Sequence, residues 1–166
     1  MVVIVSDTSP INYLVLCKAI HVLPTLYDRI IVPPSVHAEL SNSDAPSIVR
    51  EWAAKPPTWL TIKSPIHIDQ SLPLDPGESE AICLAQEIHA DALIVDESAA
   101  RQHARERGLR VTGTIGVLEL AASKNLLRLS EALASLRETN FHASETLLQQ
   151  ALERDQARRR TNRDNS

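Results

Sequence analysis

Val2-Val3-Ile4-Val5 runs without a polar break into Ser6-Asp7-Thr8-Ser9-Pro10. An apolar run of β-branched residues, bounded by turn residues, reads as a strand buried on both faces, as in parallel sheets. Ser9 is a good N-cap, and Pro10 suits the first position of a helix. A strand that passes directly into a helix leaves Asp7 at the strand's carboxyl end. That edge is where open α/β sheets bind ligands. Taken alone, Asp7 reads equally well as a capping or turn carboxylate.

The same pattern recurs along the chain. Arg29-Ile30-Ile31-Val32, Trp59-Leu60-Thr61-Ile62, Ala92-Leu93-Ile94-Val95 and Leu109-Arg110-Val111-Thr112 read as further strands, with the Trp59 run at an edge. Helical stripes separate them: Ile11 to Ile20, a short piece over Val22 to Tyr27, Ser35 to Leu40, and Ser47 to Ala54. Asp75-Pro76-Gly77-Glu78 has the spacing of a capping box and opens a helix whose buried stripe is Ala81, Ile82, Ala85 and Ile88. Helices follow after Asp96 and after Gly113, then near Ser130 to Glu138 and Ser144 to Ala157. Strands alternating with helices predict an α/β fold, a parallel sheet covered on both faces. At 166 residues with no long linker, one domain over 1–157 is expected. Residues 158–166 are rich in arginine and lack an apolar anchor, which predicts a disordered basic tail.

A net charge of −4 excludes a strongly basic nucleic-acid binder, so any polyanion must be held locally or through metal. Cys17 and Cys83 both fall on apolar helical patterns, which favours core packing over a disulfide and suits a reducing cytosol. The N-terminus has no basic n-region, and no apolar run is long enough to span a membrane. A cytoplasmic protein is therefore expected.

Chemistry in such a fold needs residues at strand ends and helix starts. The acids in those places are Asp7, Glu39, Glu78 and Asp96, and both Asp7 and Asp96 end a hydrophobic strand. Carboxylates facing one cleft repel each other and raise each other's pKa, and a divalent cation removes the conflict. Hard oxygen donors point to Mg²⁺ or Mn²⁺ rather than zinc. The histidines form no ligand pair on one helix, neither cysteine carries a motif, and there is no Walker-type phosphate loop. Gly113-Thr114-Ile115-Gly116 reads either as backbone N–H groups offered to a phosphate or as a turn capped by Thr114. On a helical wheel Glu78 projects roughly 50° from the buried stripe and Glu80 roughly 110°, so Glu78 is preferred over Glu80 as a ligand. A capping role for Glu78 competes with that. For a phosphate contact Arg101, nearest Asp96 in the chain, is preferred to Arg105 and Arg110, each of which fits a solvated helix face as well.

These segments carry a resemblance. Val5-Ser6-Asp7-Thr8-Ser9-Pro10 resembles the opening motif of PIN-domain ribonucleases. Val32-Pro33-Pro34-Ser35-Val36-His37-Ala38-Glu39-Leu40 resembles their second motif, and Leu74-Asp75-Pro76-Gly77-Glu78-Ser79-Glu80-Ala81-Ile82 their third. Leu93-Ile94-Val95-Asp96-Glu97, followed by Arg101, is similar to the fourth. Val111 to Leu118 resembles a segment of a subgroup related to toxin–antitoxin toxins. The segment after Asp96 departs from the commoner toxin pattern, in which a threonine precedes the last acid. The resemblance implies a three-layer α/β/α sandwich with a central parallel sheet. It implies a Mg²⁺- or Mn²⁺-dependent endoribonuclease with Asp7, Glu39, Glu78 and Asp96 as the metal cage. It also implies an RNA substrate, a small antitoxin partner and a homodimer. Two alternatives stand beside it. One is a catalytically silent PIN-like module that binds RNA or protein. The other is a haloacid-dehalogenase-type phosphatase, which needs a second aspartate where this chain has Ser9.

Overall fold

The computed structural model describes residues 1–166. Five strands, β1 (Val3–Ser6), β2 (Arg29–Val32), β3 (Leu60–Ile62), β4 (Ala92–Ile94) and β5 (Val111–Thr112), form one sheet in the order β3-β2-β1-β4-β5. Every pairing is parallel. The chain winds outward from β1 to β3, then returns to the other side of β1 with β4. The strand order therefore reverses between β1 and β4, and the carboxyl ends of these two strands are where such folds open a crevice.

Helices cover both faces. On one side lie α1 (Thr8–Leu16), α2 (Leu23–Leu26), α3 (Pro34–Leu40), α4 (Ser47–Ala54), α7 (Thr114–Ser123), α8 (Leu129–Arg137) and α9 (Glu145–Asp164). On the other lie α5 (Pro76–Glu87) and α6 (Ser98–Glu106). The strands show the period of two that this requires. Ile4, Ile30, Val32 and Ile94 join the first core, while Val5, Ile31, Leu93 and Val95 join the second. The fold is thus the three-layer α/β/α sandwich with a central parallel sheet. Cys17 and Cys83 are free, buried and in different cores, so the sheet separates them. No helix is long and apolar enough to cross a membrane.

Two local expectations change. The first helix begins at Thr8, with Asp7 rather than Ser9 at its N-cap. Pro10 then occupies the third helical position, still inside the first turn, where no N–H is needed for the ladder. At the other end, the residues expected to form a disordered tail continue α9 as far as Asp164. The reason is Asp155, which is buried and accepts from Arg158 at 2.6 Å and pairs with Arg159 at 3.2 Å. Those i,i+3 and i,i+4 pairs give the arginine-rich stretch the anchor that its hydrophobicity lacks. Asp155→Ala is expected to fray residues 156–164. Their amide exchange should accelerate about two- to fivefold, the scale of two such pairs, with exchange in the sheet unchanged.

Candidate active site

Asp7 emerges from β1 beside β4, and its N–H donates to the Ile94 carbonyl at 2.9 Å. That bond holds the residue in the crevice where the strand order reverses. Asp7 is only 5% exposed, and its side chain does not cap α1. Asp7 therefore holds the N-cap position without the usual cap hydrogen bond, and the Thr8 N–H is the amide that acts on its carboxylate. Burial pushes its pKa up to about 7; the Thr8 backbone N–H pulls the other way, and Glu78, Asp75 and Glu39 add to the rise.

Glu39 approaches from the last turn of α3. Its side chain accepts from the Thr8 hydroxyl at 2.5 Å, so the first helical residue after Asp7 orients the second acid. The N-terminus of α5 completes this corner. Gly77 lies so close that a Cβ there would sit 2.8 Å from Glu39 Oε1 and 3.5 Å from Asp7 Oδ1. The absent side chain leaves a cradle between the two carboxylates and the helix. Glu78 follows, 8% exposed, in the capping box foreseen from spacing. Its N–H donates to Asp75 Oδ1 at 2.8 Å, and the Asp75 N–H donates to Glu78 Oε1 at 3.3 Å. Burial first, and the charge of Asp75 next, raise the Glu78 pKa. Glu80 turns elsewhere: it accepts from the Ser35 N–H at 3.2 Å, at the start of α3. Asp75, read from sequence only as a cap, belongs to the charges acting on Asp7. No signal beyond its place in the box could have shown that.

Asp96 stands apart from this corner. Thr114 donates to it twice, from its N–H to Oδ1 at 2.8 Å and from its hydroxyl to Oδ2 at 2.7 Å. Asp96 thus serves the N-terminus of α7. The choice left open for the Gly113–Gly116 turn resolves into this contact, with Thr114 as donor rather than as cap. Arg101 donates to the Val95 carbonyl at 3.2 Å. Gly113 makes room for both, since a Cβ there would lie 2.7 Å from Arg101 Nη1 and 2.8 Å from Asp96 Oδ1. Burial raises the pKa of Asp96 despite the Thr114 bonds and the charge of Arg101. The structure therefore brings Asp7, Glu39 and the α5 N-terminus together and ties Asp96 to α7. No three His, Cys, Asp or Glu side chains are gathered closely enough to hold one ion as they stand.

A family model described as a PIN domain, DUF3368, matches residues 3–157. The chain belongs to the PIN-domain family. PIN domains are generally nucleases and typically use divalent metals. A solved PilT N-terminus domain protein from the hyperthermophilic archaeon Sulfolobus solfataricus aligns with 87% of this chain and 100% of its own. Its sequence identity is 18% and the TM-score 0.46. No curated protein matches the chain.

The raised Asp7 pKa has a sign that can be checked. In the fold this carboxyl still holds a proton at pH values where the unfolded chain, near 3.8, has lost it. Stability therefore falls as pH rises from about 4 to about 7, by at most about 4 kcal/mol for a shift of this size. With chelator present, Asp7→Asn is expected to flatten that slope and to raise the melting temperature by several degrees at pH 8. Thermal melts across pH check this, and an unchanged slope in the variant would overturn the assignment of the shift to Asp7.

Proposed function

We propose that this PIN domain is a Mg²⁺- or Mn²⁺-dependent endoribonuclease that hydrolyses RNA phosphodiester bonds. The observation that carries this reading is the Asp7–Glu39 pair around the Gly77 cradle, at the carboxyl edge of the sheet. The donor set fits a hard divalent cation: carboxylate oxygens only, two of them on buried residues, in a space that a Cβ would fill. Asp7, Glu39 and Glu78 would hold the ion, with Asp96 as the fourth acid. When bound, such an ion supplies charge to stabilise the phosphate and acidifies water for in-line attack.

The remaining steps belong to the chain. Asp7 is held in the crevice by its backbone bond to β4, and the Thr8 hydroxyl fixes Glu39 beside it. Thr114 fixes both oxygens of Asp96. Burial keeps water from screening Asp7 and Glu78, so their pull on a cation is stronger than at an open surface. Arg101, half-buried next to Asp96, would take a phosphate of the RNA. By its subgroup resemblance the chain would be the toxin of a toxin–antitoxin pair, a cytoplasmic homodimer silenced by a small antitoxin. A short neighbouring reading frame whose product suppresses cleavage is the expected companion.

A second reading has its own support. With Asp96 fully bonded to Thr114 and no three acids gathered, the domain could bind RNA or protein without cutting. Cleavage of single-stranded RNA with and without added Mg²⁺ or Mn²⁺ separates the two. Under the nuclease reading Asp7→Asn loses activity by about a hundredfold or more, the scale of removing one charged group from a transition-state site. Full activity in that variant sinks the mechanism.

A further pair of changes separates the two α5 glutamates. Glu78→Gln retains a capping oxygen but loses the charge, and Glu80→Gln retains an acceptor for Ser35. Cleavage is expected to drop strongly in the first variant and little in the second. The reverse order would make Glu80 the third ligand.

A further inference from the structure

A charged cleft of about 520 Å³ lies between the ends of β4 and β5 and helices α7 and α9. Asp96 and Arg101 line one end of it, so it opens directly off the acid edge. Glu119 on α7 and Arg154 on α9 also line it. The loop before α9 contributes Phe141 and His142. We propose that this cleft seats one unstacked nucleotide of a single-stranded RNA, with its base against Phe141 and its edge read by the Glu119–Arg154 pair. The proposal rests on the reading of the chain as a PIN domain that acts on RNA.

Three features favour a nucleotide. The first is size, since a volume of this order is that of a small-molecule site. The second is an aromatic wall held in place. Phe141 packs edge-to-face on Tyr13, with ring centres 4.9 Å apart and planes at 80°. Tyr13 is itself tied by its hydroxyl to Asn140 Oδ1 at 3.0 Å. Single-stranded nucleic acids are held by stacking on such rings, and the contact is tolerant of base identity.

The third feature is the ion pair. Arg154 donates from Nε at 2.9 Å and from Nη2 at 2.6 Å, and both bonds fall on Glu119 Oε1. Glu119 Oε2 and Arg154 Nη1 are left without a protein partner. A free acceptor and a free donor from one ion pair match the donor–acceptor edge of a base. The pair also cancels its own charge, so the cleft does not act as a simple polyanion trap. The phosphate of the bound nucleotide falls to Arg101 and His142. Continuity with Asp96 supplies the direction: a strand with one nucleotide in the cleft has its next phosphate at the acid edge.

The test is binding of the four ribonucleoside 5′-monophosphates to the full chain without divalent metal, followed by amide chemical shifts. Shifts are expected at Ile115, Phe141 to Ala143 and Leu147, with affinities that differ among the four. Phe141→Leu keeps an apolar side chain against Tyr13 but removes the stacking face, and should weaken all four about tenfold. Glu119→Gln should instead change their ranking. Shifts confined to other surfaces, or equal binding by Phe141→Leu, overturn the proposal, and so does a protein segment that binds the cleft where nucleotides do not. No cleavage is involved, so failure here leaves the nuclease reading standing. Binding here combined with no metal-dependent cleavage would keep the subsite and reject that reading.

Discussion

The structure depends on placing a carboxylate where water cannot reach it. Asp7 sits at the end of a strand whose Ile4 and Val5 are fully buried, and it is itself nearly so. Removing a charge from water is expensive, and the protein offsets that in part with the Thr8 N–H at the start of α1. The rest is left uncompensated by the chain, which is why the group holds its proton to near neutral pH. An arrangement that keeps an acid unsatisfied is a poor way to stabilise a fold. It is a good way to prepare an oxygen donor for a cation.

The sheet order explains why the acids lie along one edge. Because β1 lies between β2 and β4, Asp7 has α3 arriving from one neighbour and Asp96 following the other. α5 enters the same edge through the turn at Asp75, Pro76 and Gly77. The two glycines at closest approach, Gly77 and Gly113, mark the two halves of the site. Each stands where a methyl group would strike a carboxylate oxygen, so each is needed for space and not for backbone freedom. The half around Gly77 is acidic, with the Glu39 and Asp7 carboxylates beside the helix. The half around Gly113 carries Asp96, held by Thr114, with Arg101 beside it.

Much of this was legible because it is local. Short β-branched runs ended by turn residues gave each strand, and Asp75 and Glu78 announced their capping box three residues apart. The helix wheel put Glu78 nearer the protein than Glu80, and in the structure Glu78 is the more buried while Glu80 caps α3. What could not be read was tertiary. The Asp96–Thr114 bonds join residues 18 apart through a strand pairing, and nothing in either segment marks the other. The arginine-rich end of α9 looked unstructured because its anchor is one buried aspartate rather than an apolar stripe. Pro10 misplaced the start of α1 because proline suits any position in the first turn, not only the first.

The two cysteines give this architecture a use of a different kind. Cys17 is buried in the thick helical layer and Cys83 in the thin one, with the sheet between them. Each thiol is largely shielded while its own layer stays packed. The chain therefore carries a native clock for each side of the sandwich. The order in which the two thiols disappear from a labelling reagent during refolding tells which layer docks first.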